Sequence, residues 1–215
     1  MDEVTPAAHA APSPGRLQRL VVPLVFAAVF ILVPVAIFVA RHGKVESKAA
    51  PLPDYGAVPP FALTERAGRP IGLEDMRGYV WVADFIFTNC AGPCPLMTQR
   101  MAALQDELPL KKGLRLVSIT VDPERDTTEI LRRYADAAGA RNDLWLFLTG
   151  PQPAIYKLAV EGFHMGSVSD PLLHSTRFAL VDRKGHIRGY YDYADAEMMA
   201  RLIADVTRLV REDPS

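Results

Sequence analysis

Cysteine is scarce in this chain: the 215 residues hold two, standing four apart as Cys90 and Cys94. A disulfide between them would close too small a loop to stabilise the fold much, because the entropic gain grows with loop length. Stapling is therefore a poor reason for the pair, and dithiol redox chemistry or a shared metal ion is the better one. Charge of one sign is lacking too. The net charge is −1 with 23% charged residues, so nothing here recruits nucleic acid. Internal repeats and low-complexity blocks are missing from residue 61 onward, which leaves one compact domain with a real core.

Between Leu20 and Ala40 it is charge itself that is missing, over 21 consecutive residues. At about 1.5 Å rise per residue a helix of that length spans the hydrocarbon core of a bilayer. Pro23 costs little near its start, while Pro34 is placed to kink it. A cleaved signal peptide has a shorter apolar region that ends at a small-residue site. Here the run meets Arg41-His42-Gly43-Lys44, so an uncleaved transmembrane anchor is expected. Arg16 and Arg19 before it, and Arg41, Lys44 and Lys48 after it, do not decide its orientation. Residues 1–19 read as a disordered tail and 41–60, rich in proline and alanine, as a stalk.

From Phe61 the pattern is that of an α/β domain. Phe61–Leu63 and Pro70–Leu73, with Gly68 between them, suggest a hairpin. The apolar run Tyr79–Phe87 predicts a buried strand, and Pro95–Leu108 a helix. Leu114–Val121 predicts a second strand. A helix is expected over Thr127–Ala138, with Asp126 as N-cap and Glu129 completing a capping box. Leu144–Leu148 reads as a third strand, Pro153–Val160 as a short helix, and 176–181 with 186–191 as a hairpin turning at Gly185. A last amphipathic helix, Asp195–Arg211, places Met198, Leu202, Ile203, Val206, Leu209 and Val210 on its apolar side. The dithiol then lies at the carboxyl end of a central strand, where sites in such sheets sit.

The pair stands in Thr88-Asn89-Cys90-Ala91-Gly92-Pro93-Cys94-Pro95. If the motif occupies a first helical turn, both thiols face one side. The helix N-terminus would then favour thiolate over thiol and lower at least one cysteine pKa. A copper site wants a third ligand, and thiolates with an imidazole select Cu(I) and can hold Cu(II). Of five histidines, His9 and His42 lie in the tail and stalk, and His186 follows a turn, so these read as solvated. His164 stands beside Met165, a second soft donor. His174, on the loop before the hairpin, is either bonded to local backbone or turned toward the dithiol.

These residues resemble the Sco/SenC family of membrane-anchored, copper-binding assembly factors for cytochrome c oxidase. Four features in order carry the resemblance, from about Phe61 to Val210. They are Cys90-x-x-x-Cys94-Pro95 after an apolar strand; the strand ending Ser118-Ile119-Thr120-Val121-Asp122-Pro123-Glu124-Arg125-Asp126; His174-Ser175; and Phe178–Asp182 with its Gly185 turn. The resemblance implies a thioredoxin-like fold with an inserted hairpin, and copper held as Cu(I) or Cu(II) by Cys90, Cys94 and His174. It places Asp122 near enough to tune the site, beside its plainer reading as a turn residue before Pro123. It implies a single-pass protein of the inner membrane, its C-terminal domain in the periplasm. Its partner would be the copper-A-bearing subunit of cytochrome c oxidase, with other copper chaperones or thioredoxin-like reductants beside it. One departure is that the proline usual after the first cysteine is replaced by Ala91, with Pro93 two places on.

Two functions fit those residues. In one, the domain is a copper chaperone for the oxidase. In the other, Cys90 and Cys94 are a catalytic thiol-disulfide pair, Cys90 attacking and Cys94 resolving. The three-residue gap argues against a general thioredoxin, whose cysteines are two residues apart. A thiol peroxidase would want Pro-x-x-x-Thr-x-x-Cys, and Ala83 and Phe87 occupy those two places.

Overall fold

The computed structural model of the chain describes residues 30–31, 51–108, 113–166 and 175–212. Contacts divide the chain into two units, Met1–Pro51 and Leu52–Ser215. In the first, Phe30 and Ile31 are helical and exposed. The rest of the expected anchor at 20–40 lies outside the described residues, as do the tail and residues 41–50. Among the described residues no helix is long and apolar enough to cross a membrane.

Among the described residues the second unit has seven strands: β1 Ala62–Glu65, β2 Pro70–Gly72, β3 Val80–Ile86, β4 Leu114–Thr120, β5 Trp145–Thr149, β6 Arg177–Val181 and β7 Ile187–Asp192. Its helices are α1 Leu73–Met76, α2 Cys94–Glu107, α3 Thr128–Ala137, α4 Gln152–Lys157 and α5 Ala196–Arg211. A π-helical turn, Leu158–Gly162, continues α4. One sheet takes the order β2-β1-β5-β4-β3-β6-β7. The three apolar runs β3, β4 and β5 lie side by side and parallel. Parallel strands are covered on both faces, which is why these carry near-continuous apolar side chains.

Side chains alternate across a strand, so β3 feeds two cores. Val80, Val82 and Ile86 pack under α2, α3 and α5 with Met97, Met101, Leu131, Leu202 and Val206. Trp81, Ala83 and Phe85 turn the other way, against Leu63, Ile71, Met76, Ile155 and Phe163. Burying each such large side chain stabilises the fold by about 1.5–3 kcal/mol. Both hairpins close as expected, with Gly68 at φ 85° and Gly185 at φ 85°, a left-handed conformation that glycine takes without steric cost.

Three expectations are corrected. The last helix buries Met199, Leu202, Val206 and Leu209, leaving Met198 37% exposed. Thr127, not Asp126, caps α3, its side chain accepting from Ile130 N at 3.4 Å. The segment read as stalk is, from Leu52 on, laid against the β6–β7 hairpin: Val58 is buried, Ala57 bridges His186, and Arg188 donates to the carbonyls of Leu52 and Pro53 at 2.6 and 2.7 Å.

Candidate dithiol site

The carboxyl ends of β3 and β4 open side by side, because the strands are parallel and in register from Val80↔Leu114 to Ile86↔Thr120. The residues after Ile86 and those after Thr120 therefore leave the sheet together. The first stretch carries the dithiol and the second the turn from Asp122 to Asp126.

Cys94 opens α2, with Pro93 as N-cap and the Met97 N–H donating to the Pro93 carbonyl at 3.0 Å. Cys90 stands four residues earlier in the loop, so the pair does not share a helical turn as the spacing alone suggested. The loop curls back to bring the two thiols together. The Gly92 N–H donates to Cys90 Sγ at 3.3 Å, and the Cys94 thiol interacts with the Cys90 side chain. Both are free thiols, Cys90 9% and Cys94 0% exposed.

The expected thiolate at a helix N-terminus is not what Cys94 shows. Burial pushes its pKa well above the ordinary thiol range, and the Cys90 side chain and the Asp84 carboxyl add to the rise. A hydrogen bond from the Phe87 backbone works the other way but does not outweigh them. Desolvation has won over the partial charge of the helix end.

Under the pair lies a residue that the sequence reading passed over. Asp84 is 0% exposed and falls, by strand alternation, on the face of β3 that carries Val82 and Ile86. Among the described residues neither of its carboxylate oxygens has a hydrogen-bond partner. Burial raises its pKa from 3.8 to about 7, with Ser118 pulling slightly the other way. Ser118 is its register partner on β4, and that hydroxyl accepts from Trp145 Nε1 at 3.0 Å. Tyr134 on α3 shares the cluster. Burial raises its pKa, the cysteines and Asp84 contribute, and its hydroxyl pairs with Thr98 Oγ at 2.7 Å. A single carboxylate inside the apolar run Tyr79–Phe87 was the available signal.

The other predicted positions divide. His174 lies outside the described residues. Among the described residues no group of three His, Cys, Asp or Glu side chains is placed to hold a metal ion. Met165 is buried in the core on the opposite face of the sheet from the cysteines, and its neighbour His164 is exposed with φ 51°. His186 is not simply solvated, since its Nδ1 stands 3.0 Å from Asp54 Oδ2 and ties the 52–60 segment down. Asp122 is mostly buried; its carboxylate meets Arg125 at 3.3 Å and its N–H donates to Thr120 Oγ at 3.0 Å.

Two adjacent free thiols of this kind, at the carboxyl end of a central strand, follow the pattern of one family, whose sequence model, SCO1/SenC, matches residues 50–211. The chain belongs to the SCO1/SenC family. The SCO1 protein homolog of Bacillus subtilis is 35% identical over 155 residues, spanning 69% of this chain and 80% of that relative. The solved structure of BsSco, described as a member of the Sco family of cytochrome c oxidase assembly proteins with a disulfide switch, aligns with TM-score 0.67 at 32% identity over 78% of this chain and 100% of that one. Copper-bound ScoI of Bradyrhizobium japonicum shares the fold, with TM-score 0.55 at 20% identity over 72% of this chain and 99% of that one. The mixed α/β sheet thus matches the thioredoxin-like fold of Sco structures.

Proposed function

We propose that this SCO1/SenC-family chain is a membrane-anchored copper chaperone that delivers copper to the copper-A site of cytochrome c oxidase during assembly. The observation that carries it is the pair of adjacent, free, mostly buried thiols of Cys90 and Cys94. Two soft sulfur donors held together in a dry setting suit Cu(I), and an imidazole added to them suits Cu(II) as well. His174 is the third ligand of this reading, on the strength of the family resemblance. Copper is the cargo and no substrate is turned over. Residues 20–40 are the anchor, and the domain works on the periplasmic side of the inner membrane. There a shared tether raises the effective concentration of donor and acceptor.

A second reading is favoured by the unequal exposure of the two cysteines, 9% for Cys90 and 0% for Cys94, and by the disulfide switch described for BsSco. A Cys90 thiolate attacks a disulfide of the partner, and one partner sulfur leaves as thiolate. Cys94, once deprotonated, then displaces the other and closes the Cys90–Cys94 disulfide.

Copper stoichiometry of the reduced chain under anaerobic conditions tests the first reading, with His174→Ala titrated in parallel. One copper per chain, with weakened or altered binding in the variant, is expected. A folded, reduced chain that retains no copper would overturn it in favour of the reductase. Cys90→Ser and Cys94→Ser should each abolish both copper binding and disulfide exchange, whereas His174→Ala should spare the exchange.

A further inference from the structure

Asp126 is 1% exposed, and the helix-capping role its position suggests is taken by Thr127. Its side chain turns inward instead and is fully engaged. Oδ2 accepts from the Thr88 N–H at 3.0 Å and from Thr120 Oγ at 2.5 Å, and Oδ1 accepts from Thr88 Oγ at 2.5 Å. The Thr120 hydroxyl in turn accepts from the Asp122 N–H at 3.0 Å, and the Asp126 N–H donates to the Asp122 carbonyl at 2.9 Å. The turn after β4 is thereby closed on itself, and its side-chain grip on the neighbouring segment is at Thr88, two residues before Cys90.

The hold on Thr88 is two-pointed. Bonding the N–H fixes the chain, and bonding the hydroxyl fixes the residue's rotation, so the direction in which the backbone sets out toward Cys90 is specified. The sheet's own ladder does not supply this, because the backbone bond from Val121 N to the Ile86 carbonyl at 2.8 Å is made before Thr88 is reached. A buried carboxylate with three donors is strongly held, since hydrogen bonds to a charged acceptor are about twice as strong as neutral ones.

We infer that Asp126 is a positioning residue of the dithiol site: its carboxylate latches Thr88 and so fixes where Cys90 stands relative to Cys94. This rests on the reading of Cys90 and Cys94 as the working pair, and it applies equally whether they hold copper or exchange disulfides. The hydrogen bonds of the Asp126 side chain go to Thr88 and Thr120 and not to either cysteine. Asp126 acts through Thr88.

The test is the ratio of iodoacetamide alkylation rates at Cys90 and Cys94, resolved by peptide mass spectrometry on the full chain, reduced and copper-free. Asp126→Asn puts an amide donor against the Thr88 donors, Thr88→Val removes the hydroxyl while keeping the shape, and Thr88→Ser restores the hydroxyl. Loosening the latch frees the loop residue Cys90 and not Cys94, which α2 holds. The ratio should rise roughly tenfold in Asp126→Asn and in Thr88→Val, the order expected for losing a hydrogen bond to a charged group, and stay at the parental value in Thr88→Ser. Leu146→Ala, in the core on the other face of the sheet, gives the pattern of general destabilisation, in which both cysteines speed up together. An unchanged ratio in Thr88→Val, or a parallel rise at both cysteines matching Leu146→Ala, would overturn the latch. If Asp126→Asn does not fold, the Thr88→Val and Thr88→Ser pair decides alone. None of these readings needs copper, so a failed latch is distinguishable from a chain that binds no copper.

Discussion

The floor of the dithiol site and its rim each bury a carboxyl group, and they do so by opposite means. At the rim, Asp126 accepts three hydrogen bonds from Thr88 and Thr120. At the floor, Asp84 has no hydrogen-bond partner on either oxygen among the described residues, and its pKa is raised to about 7. Burying a charge is costly unless it is paired or neutralised. The rim satisfies its carboxyl with donors, and the floor disfavours the charged form by burial. One carboxyl therefore fastens structure, while the other makes the core beneath the cysteines sensitive to pH.

The largest effect that would sharpen this contrast is at the floor. Asp84 has a folded pKa of about 7 against 3.8, so its contribution to stability is fully present below 3.8 and is lost as pH rises through 7. The loss is on the order of 4 kcal/mol at most. Asp84→Asn, which does not titrate, should flatten the decline between pH 4 and 8; urea unfolding of parent and variant across that window reads the difference. Identical slopes would mean that the carboxyl finds a partner, and the contrast with the rim would disappear.

Asp126→Ala comes next. It strands three donors in a buried setting and should lower stability at neutral pH by about 3 kcal/mol. A loss below about 1 kcal/mol in the same unfolding measurement would break the rim half of the comparison. Thr120→Val removes one of those donors, along with the acceptor of the Asp122 N–H, and should cost about 1–2 kcal/mol. Smallest is Tyr134→Phe, which deletes the bond to Thr98 above the floor and should cost about 0.5–1 kcal/mol. Thermal denaturation suffices to rank these two, and the reverse order would show the bond at the floor to be worth more than the one at the rim.

Much of this protein was legible because periodicity and turn chemistry act locally. The apolar runs of β3, β4 and β5, the Gly68 and Gly185 turns, and the four-residue spacing of Cys90 and Cys94 are all written along the chain. From Phe61 on, the predicted strands and the four longer helices were found within a few residues of their expected places, while the short helix Leu73–Met76 was not foreseen. Errors arose where a residue's setting is set by distant neighbours. Met198 and Met199 are adjacent, and only the packing of α5 against the sheet chose the second for the core. Leu52–Pro60 has the composition of a linker, but Arg188 and His186, more than 130 residues away, hold it on the hairpin.

The sequence by itself determined the layered α/β architecture and the presence of a dithiol at a strand's carboxyl end, because alternation, helical period and cysteine spacing are short-range properties. It also carried the ordered motifs of the SCO1/SenC family. Only the tertiary structure decided how Cys94 ionises, since desolvation depends on everything packed around a group and here exceeds the helix-end effect that local reasoning supplies. Only the tertiary structure turned Asp126 from an expected cap into a latch. Thr88 and Asp126 are 38 residues apart, and they meet because β3 and β4 run parallel and in register, a pairing that no local pattern specifies.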